Sequence, residues 1–194
     1  MNRKDFFNKH ACTWDNDKNA LDTYKIKTIV IPLLNLKKDD ILLDIACGTG
    51  IFIESIKEKD KNIKITGVDF AQNMIDSAAR KFPDTDFIVA DVASLPFKDN
   101  TFNKVICLNA FPHFEDKTQA IKEMERTLKK DGILLLAHTN SKSNIDNHHR
   151  NVGGLIAEDI LPANEQIKKT LTDNGLKNVE LTDNDEVFII KASK

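Results

Sequence analysis

Five short runs rich in isoleucine, leucine and valine recur along this chain: Ile41–Ala46, Ile63–Val68, Phe87–Ala90, Val105–Leu108 and Ile133–Ala137. They are nearly continuous in apolar character rather than alternating, the pattern of strands buried on both faces of a parallel sheet. Helical patterns lie between them, at Phe52–Lys59, Gln72–Lys81 and Thr118–Lys129. In the last of these Ala120, Ile121, Met124 and Leu128 form one stripe at helical spacing, with Lys and Glu opposite. Regular strand–helix alternation implies βαβ units and an open, doubly wound α/β sheet.

The two ends depart from this rhythm. Residues from about Lys4 to Leu36 read as helical, with apolar positions at Ile26, Ile29, Val30 and Leu33 and Pro32 near the end. The stretch Thr139–Pro162 is polar, broken only by Gly153-Gly154, and contains His148-His149. A helix over Asn164–Asn174 follows, closed by Gly175. Val179–Leu181 and Val187–Ile190 then flank the turn-forming Asp183-Asn184-Asp185, so a terminal antiparallel hairpin is expected. At 194 residues the chain buries about 70% of its extended surface on folding, enough for one core. With no repeat and no linker, residues 1–194 are expected to form a single domain.

With 28 basic and 30 acidic residues there is no global positive field to attract nucleic acid or an anionic membrane. Cys12, Cys47 and Cys107 are far apart in sequence, which gives neither a disulfide framework nor metal-site spacing and suits a reducing cytoplasm. The opening residues Met1–Phe7 lack the apolar run of a signal peptide, and no stretch has the ~18 apolar residues of a membrane span. No nucleic-acid partner and no membrane span are expected; the oligomeric state is not encoded legibly.

The most informative segment is Ile41-Leu42-Leu43-Asp44-Ile45-Ala46-Cys47-Gly48-Thr49-Gly50, a strand running into a glycine turn with a helix starting at Ile51. Glycine is required where backbone turns sharply and lies against a ligand with no Cβ between them. Asp69 closes the next strand 19 residues after Gly50, where a carboxylate accepts hydrogen bonds from ribose hydroxyls. Asp91 closes the third strand. All three acids lie at the carboxyl ends of strands, the edge where open α/β sheets bind ligands. Ordinary strand-end turns use the same residue types, but not at three matching places. A dinucleotide fingerprint needs a small residue at position 53, which is Ile53, and the Lys-Ser/Thr of a P-loop is missing. Asp44 repels a phosphate and suits a cationic group.

These segments resemble the class I S-adenosylmethionine-dependent methyltransferases, in the branch similar to the quinone-biosynthesis enzymes. The resemblance covers residues 41–137 closely: Leu43–Gly50 looks like the first motif, Gly67-Val68-Asp69-Phe70 with Met74 like the second, and Phe87–Val92 with Leu95-Pro96-Phe97 like the third. Arg126–Gly132 resembles the element before the fifth strand, with Lys-Asp-Gly in place of the usual Pro-Gly-Gly. The resemblance implies a Rossmann-like, mostly parallel seven-stranded sheet and S-adenosylmethionine as cofactor. It implies that Ala46, Gly48 and Gly50 frame the amino-acid part of that cofactor, with Asp44 near its ammonium. Asp69 would hold the ribose, Phe70 and Met74 the adenine, Asp91 and Val92 the adenine edge, and Asn109 the region near the sulfonium. Phe6–Asp15 resembles the segment that covers the cofactor in small-molecule relatives, so residues 1–36 are expected to form a helical lid.

Methyl transfer is an in-line displacement, and alignment with desolvation is the protein's main task. A base is needed only for an acceptor that arrives protonated. His113, in Asn109-Ala110-Phe111-Pro112-His113-Phe114 after the fourth strand, is the candidate; otherwise it is a loop histidine that packs the lid or contacts the cofactor. Glu115 and Asp116 are its expected carboxylate neighbours. The same segment lacks the Asn/Asp-Pro-Pro-Tyr that enzymes acting on base amino groups resemble one another in carrying. Trp14 either closes over the site or packs the lid on the core. His148 and His149, in the substrate-side segment 139–162, contact an acceptor or an anion, or belong to a solvated loop; no metal is expected. The acceptor is read as a small molecule. Two other readings share these residues: a silent module that binds S-adenosylmethionine without turnover, and an RNA or protein methyltransferase working with a partner.

Overall fold

Residues Ile41–Ile45 form β1, and their alternation decides what packs on each face of the sheet. Leu42 joins Phe52, Ile53 and Ile56 of α4 (Ile51–Lys59) and Ile75 of α5 (Gln72–Lys81), while Leu43 and Ile45 join Ala120, Ile121 and Met124 of α6 (Lys117–Thr127) and Ile167 and Leu171 of α8 (Asn164–Asp173). Both faces are covered by helices, which is why the strands read as unbroken apolar runs. The structure, a computed structural model, describes residues 2–17, 20–59 and 62–194.

The remaining strands are β2 (Lys64–Asp69), β3 (Asp86–Val89), β4 (Phe102–Leu108), β5 (Leu128–His138), β6 (Lys177–Asp183) and β7 (Phe188–Ser193). They form one seven-stranded sheet in the order β3-β2-β1-β4-β5-β7-β6. β1 to β5 pair in parallel, and β7 inserts antiparallel between β5 and β6. This is the expected Rossmann-like sheet with its terminal hairpin. The hairpin turn is held by Asn184, whose Oδ1 accepts from the backbone of Glu186 and Val187, both at 2.9 Å.

Several boundaries differ from the sequence reading, these among them. β5 begins at Leu128 rather than Ile133, because Leu128 pairs with Phe102 before a register shift that absorbs the following residues and puts Asp131 at φ +61°. Helix α6 therefore stops at Thr127 instead of Lys129. Asp91 lies two residues beyond the end of β3.

The N-terminal stretch is not one continuous helix. It consists of α1 (Arg3–His10), a 3₁₀ turn (Trp14–Asp17), α2 (Ala20–Lys25), a π turn (Ile26–Val30) and α3 (Ile31–Leu33). Residues 18 and 19 of the expected helix, and Met1, lie outside the described residues. The widened π turn rotates the residues after it, so Ile26, Val30, Ile31 and Leu34 are the buried positions rather than Ile26, Ile29, Val30 and Leu33. Lys25 is buried and donates from Nζ to the carbonyls of Thr139 and Glu186, each at 2.8 Å, tying this stretch to the ends of β5 and of the hairpin. The polar segment after β5 is also ordered: Ser141 caps α7 (Lys142–Val152), and Gly153 ends it at φ +71°. Among the described residues no helix is long and apolar enough to cross a membrane.

Candidate active site

The strand order reverses between β1 and β4, and the carboxyl ends of the strands there open into a cleft of about 1320 Å³. Small-molecule sites run to about 300–1,000 Å³, so this cleft has room for more than one ligand. Apart from Gly50, every residue singled out from the sequence as a site candidate lines it: Asp44, Ala46 and Gly48 from the β1 end, Asp69, Phe70 and Met74 from the β2 end, Asp91 and Val92 after β3, and Asn109 and His113 after β4. Trp14, His148 and His149 line it as well.

The glycine turn is made by backbone geometry. Ala46, Gly48 and Gly50 have φ of +55°, +54° and +91°, and Cys47 ties the turn to β2 by donating to the Val68 carbonyl at 2.9 Å. The two glycines serve different ends. At Gly48 an added Cβ would meet only Trp14 Nε1, 4.0 Å away, so this face is open to the cleft. At Gly50 it would strike the Phe82 ring at 2.8 Å, so that glycine allows α5 to pack against the turn.

Behind the turn stand two buried acids. Asp69 accepts from the backbone N–H of Gly48 at 3.0 Å and of Ala71 at 2.9 Å. Burial pushes its carboxyl up to about 6 although these backbone donors pull the other way. Asp44 is more extreme. It is 1% exposed, its Oδ2 has no hydrogen-bond partner, and burial followed by the charge of Asp69 raises its pKa well above the ordinary range. Asp91 differs from both: it is exposed and its Oδ1 accepts from Ala93 N–H at 2.8 Å.

A cover built from α1 and the 3₁₀ turn crosses the mouth. Asn8 accepts from Asn73 N–H at 2.8 Å, and Asp15 accepts from Thr49 Oγ1 at 2.6 Å and from Lys81 Nζ. Phe7 is the hub beneath it, its ring 5.6 Å from Trp14, 5.7 Å from Phe70 and 5.3 Å from His113. Trp14, 43% exposed, thus both packs the cover and faces the glycine turn.

On the other side of the cleft Asn109, at φ +54°, accepts from Thr139 N–H at 2.9 Å and fastens the β4 end to the β5 end. The carboxylate beside His113 is neither Glu115 nor Asp116. Asp116 caps α6 and Glu115 pairs with Arg3 at 3.2 Å; the partner is Asp159, whose Oδ2 lies 2.8 Å from His113 Nδ1. His148 and His149 diverge as neighbours on a helix must. His148 is exposed, whereas His149 is buried, donates from Nδ1 to the Asp159 carbonyl and stacks 4.8 Å from His113. Behind them His138 is 3% exposed, its Nε2 has no partner, and burial lowers its pKa to about 3, with the His113 and His149 charges adding to it. No group of three or more His, Cys, Asp or Glu among the described residues is placed to hold a metal. Sequence reasoning missed Asp159, Arg3, Asp15 and His138. Their pairings span up to 156 residues and leave no local pattern.

Residues 43–136 match the family model described as a methyltransferase domain, and this fold and this cleft resemble those of class I S-adenosylmethionine-dependent methyltransferases. The chain is similar to enzymes of quinone biosynthesis. It is 33% identical over 117 residues to the demethylmenaquinone methyltransferase of Thermotoga maritima, covering 60% of this chain and 51% of the relative. It is 33% identical over 143 residues to the ubiquinone/menaquinone biosynthesis C-methyltransferase of Campylobacter jejuni, covering 68% of this chain and 61% of the relative. The chain therefore spans about half to three-fifths of the length of these curated relatives. The fold is shared with a crystal structure of an S-adenosylmethionine-dependent methyltransferase from Aquifex aeolicus, with a TM-score of 0.75 at 16% identity over 95% of this chain and 97% of that one.

A methyltransferase that this chain resembles in fold was solved in complex with S-adenosylmethionine, and the residues present fit that cofactor. A buried carboxylate oxygen without a partner, on Asp44, answers an ammonium. The open face of Gly48 admits a ligand against the backbone, and the apolar Phe70 and Met74 flank Asp69 where a nucleoside base would lie.

Proposed function

We propose that this chain transfers the methyl group of S-adenosylmethionine to a small-molecule acceptor. The observation that carries the reading is the orphaned Asp44 Oδ2, buried at the end of β1 beside a turn held open by three consecutive alternate residues with positive φ. A buried carboxylate without a partner is costly, and a cationic ligand group offsets that cost.

In this reading Asp44 takes the ammonium, while Ala46 and Gly48 lie along the amino-acid part and Gly50 shapes the turn. Asp69 uses its remaining lone pairs for the ribose hydroxyls, Phe70 and Met74 sandwich the adenine, and Asp91 with the Val92 backbone meets its edge. Asn109 holds the loop beside the sulfur. When bound, the cofactor supplies an electrophilic methyl carbon on a sulfonium. His113 takes the acceptor's proton, Trp14 and Phe7 exclude water from above, and His148 and His149 face the acceptor compartment. We take residues 1–194 as one domain, with 1–36 as its cover and 139–162 as its substrate-side segment. The three free cysteines suit the cytoplasm as its compartment.

Calorimetric titration with S-adenosylmethionine and S-adenosylhomocysteine tests the reading first, and labelled-methyl transfer into a metabolite pool tests it second. Binding in the micromolar range with transfer to a small-molecule fraction is expected. A folded protein that binds neither nucleoside at millimolar concentration would sink it.

A further inference from the structure

Two side chains far apart in sequence meet behind His113. Arg3 Nη2 lies 2.5 Å from Asp159 Oδ1 and Arg3 Nε lies 3.4 Å from Oδ2, and that Oδ2 is the atom 2.8 Å from His113 Nδ1. The Asp159 side chain is 2% exposed, so water does not compete for it. Burial pushes its carboxyl up, but the hydrogen bonds and charges of His113 and Arg3 outweigh this and hold it at about 2. It is ionised throughout the neutral range.

An ionised carboxylate only accepts hydrogen bonds, so the proton between the two groups sits on His113 Nδ1. In a neutral ring Nε2 is then bare. Nε2 makes no hydrogen bond among the described residues, and the ring lines the cleft. The other groups around the ring leave Asp159 as its hydrogen-bond partner. Phe7 from α1 meets it edge-on and His149 from α7 lies tilted against it, and burial disfavours charge on His138 at the end of β5 and on His149. Lys117 of α6, the other nearby cation, is occupied by the carbonyls of Pro112 and Phe114. Glu115, the other nearby acid, is exposed and turned to Arg3.

We propose that Asp159 and Arg3 are positioning residues for His113: Asp159 fixes the ring as the Nδ1–H tautomer with Nε2 presented to the acceptor, and Arg3, carried on α1, couples the seating of the cover to that arrangement. The inference rests on the methyl-transfer reading for the use of the base, and it gives the acceptor a class. A hydroxyl or ammonium needs such a base; a thiolate does not. The acceptor's proton passes to His113 Nε2, and the freed lone pair forms the bond to the methyl carbon. The carbon–sulfur bond breaks with its pair left on sulfur, and the imidazolium returns the proton to water.

Imidazole ¹⁵N spectra of the neutral ring, assigned with His113→Gln, read the tautomer without an acceptor. The wild type is expected to show a protonated Nδ1 and a bare Nε2. Asp159→Asn, nearly isosteric, is expected to lose the single tautomer, as an amide in place of such a carboxylate permits the wrong one. Arg3→Gln is expected to keep Nδ1–H while amide exchange in α1 speeds up at least tenfold. A wild-type ring protonated on Nε2 would overturn the proposal, as would an unchanged tautomer in Asp159→Asn or unchanged α1 exchange in Arg3→Gln. If Asp159→Asn does not fold, the wild-type tautomer and the Arg3→Gln exchange still decide. Titration of the same wild-type sample with S-adenosylhomocysteine keeps the two claims apart, because absent binding fails the methyltransferase reading and leaves the tautomer result standing.

Discussion

Asp44 and Asp69 end neighbouring parallel strands, and the charge of Asp69 pushes the fully buried Asp44 carboxyl up beyond what burial alone does. One of the pair is satisfied by backbone donors and the other keeps an oxygen with no partner. That unpartnered oxygen is the one that the proposed function gives to a cationic group.

Cofactor affinity should depend on pH through Asp69. Its carboxyl titrates at about 6, and only the ionised form accepts from two ribose hydroxyls. At pH 5 S-adenosylmethionine should bind about tenfold more weakly than on the plateau above pH 7, with protons released on binding. The effect on folding has the opposite sign: a carboxyl raised in the folded state makes stability fall as pH climbs from about 4 to 6, and adds nothing further above that. Calorimetry across pH 5–8 in buffers of different ionisation heat checks the first, and denaturant midpoints check the second. A flat affinity profile would count against Asp69 as the ribose ligand.

Removing that carboxylate is the direct test. Asp69→Ala should weaken S-adenosylmethionine binding by about 2–4 kcal/mol, since charge-assisted hydrogen bonds are worth about 1.5–3 kcal/mol each and do not add fully. Asp69 also restrains Gly48 N–H and Ala71 N–H, so part of the loss comes from a looser turn. Unchanged affinity in a folded variant removes the assignment.

Gly48→Val should abolish cofactor binding while the fold persists. A branched side chain at φ +54° is strained, and its bulk would fill the gap between the turn and Trp14. Circular dichroism with calorimetry distinguishes a lost ligand from a lost fold. Normal binding would reduce the glycine turn to a connection.

His113→Ala should lower kcat by about 10²–10⁴ on an acceptor that carries its proton to the site. S-adenosylmethionine affinity should stay within a few-fold, because the Phe7 ring keeps Phe70 and Trp14 as partners. The pH–rate profile should lose the limb that belongs to the base. A turnover within a few-fold of wild type on such an acceptor would exclude the base role.

Lys25→Met tests how the N-terminal stretch is anchored. It strips the donors from two carbonyls, those of Thr139 and Glu186, at a cost of about 1–3 kcal/mol for each one left dry. Urea unfolding should show a loss of at least that single increment; no change would mean that water replaces the amine.

The sheet and its strand ends were legible because burial on two faces writes continuous apolar runs into the sequence. Gly48, Asp44 and Asp69 were legible because backbone curvature and strand ends fix their types locally. At Gly50 the positive φ is local, but the neighbour that an added side chain would meet is Phe82, invisible to local pattern. Asp159 was not legible at all. It sits in Glu158-Asp159-Ile160 with no periodic signal, and its value comes only from the tertiary approach of Arg3 and His113. The π turn at Ile26–Val30 likewise arises from packing and shifted the stripe that helical spacing alone assigned.

The cover is fastened at separate points around the rim: Asn8 to Asn73, Asp15 to Thr49 and Lys81, and Arg3 to Asp159. In the proposed function a nucleoside seated beneath it leaves only after these clasps let go together. Under the proposed function the tempo of a catalytic cycle belongs to unlatching, and the spent cofactor acts as its own stopper until the clasps release.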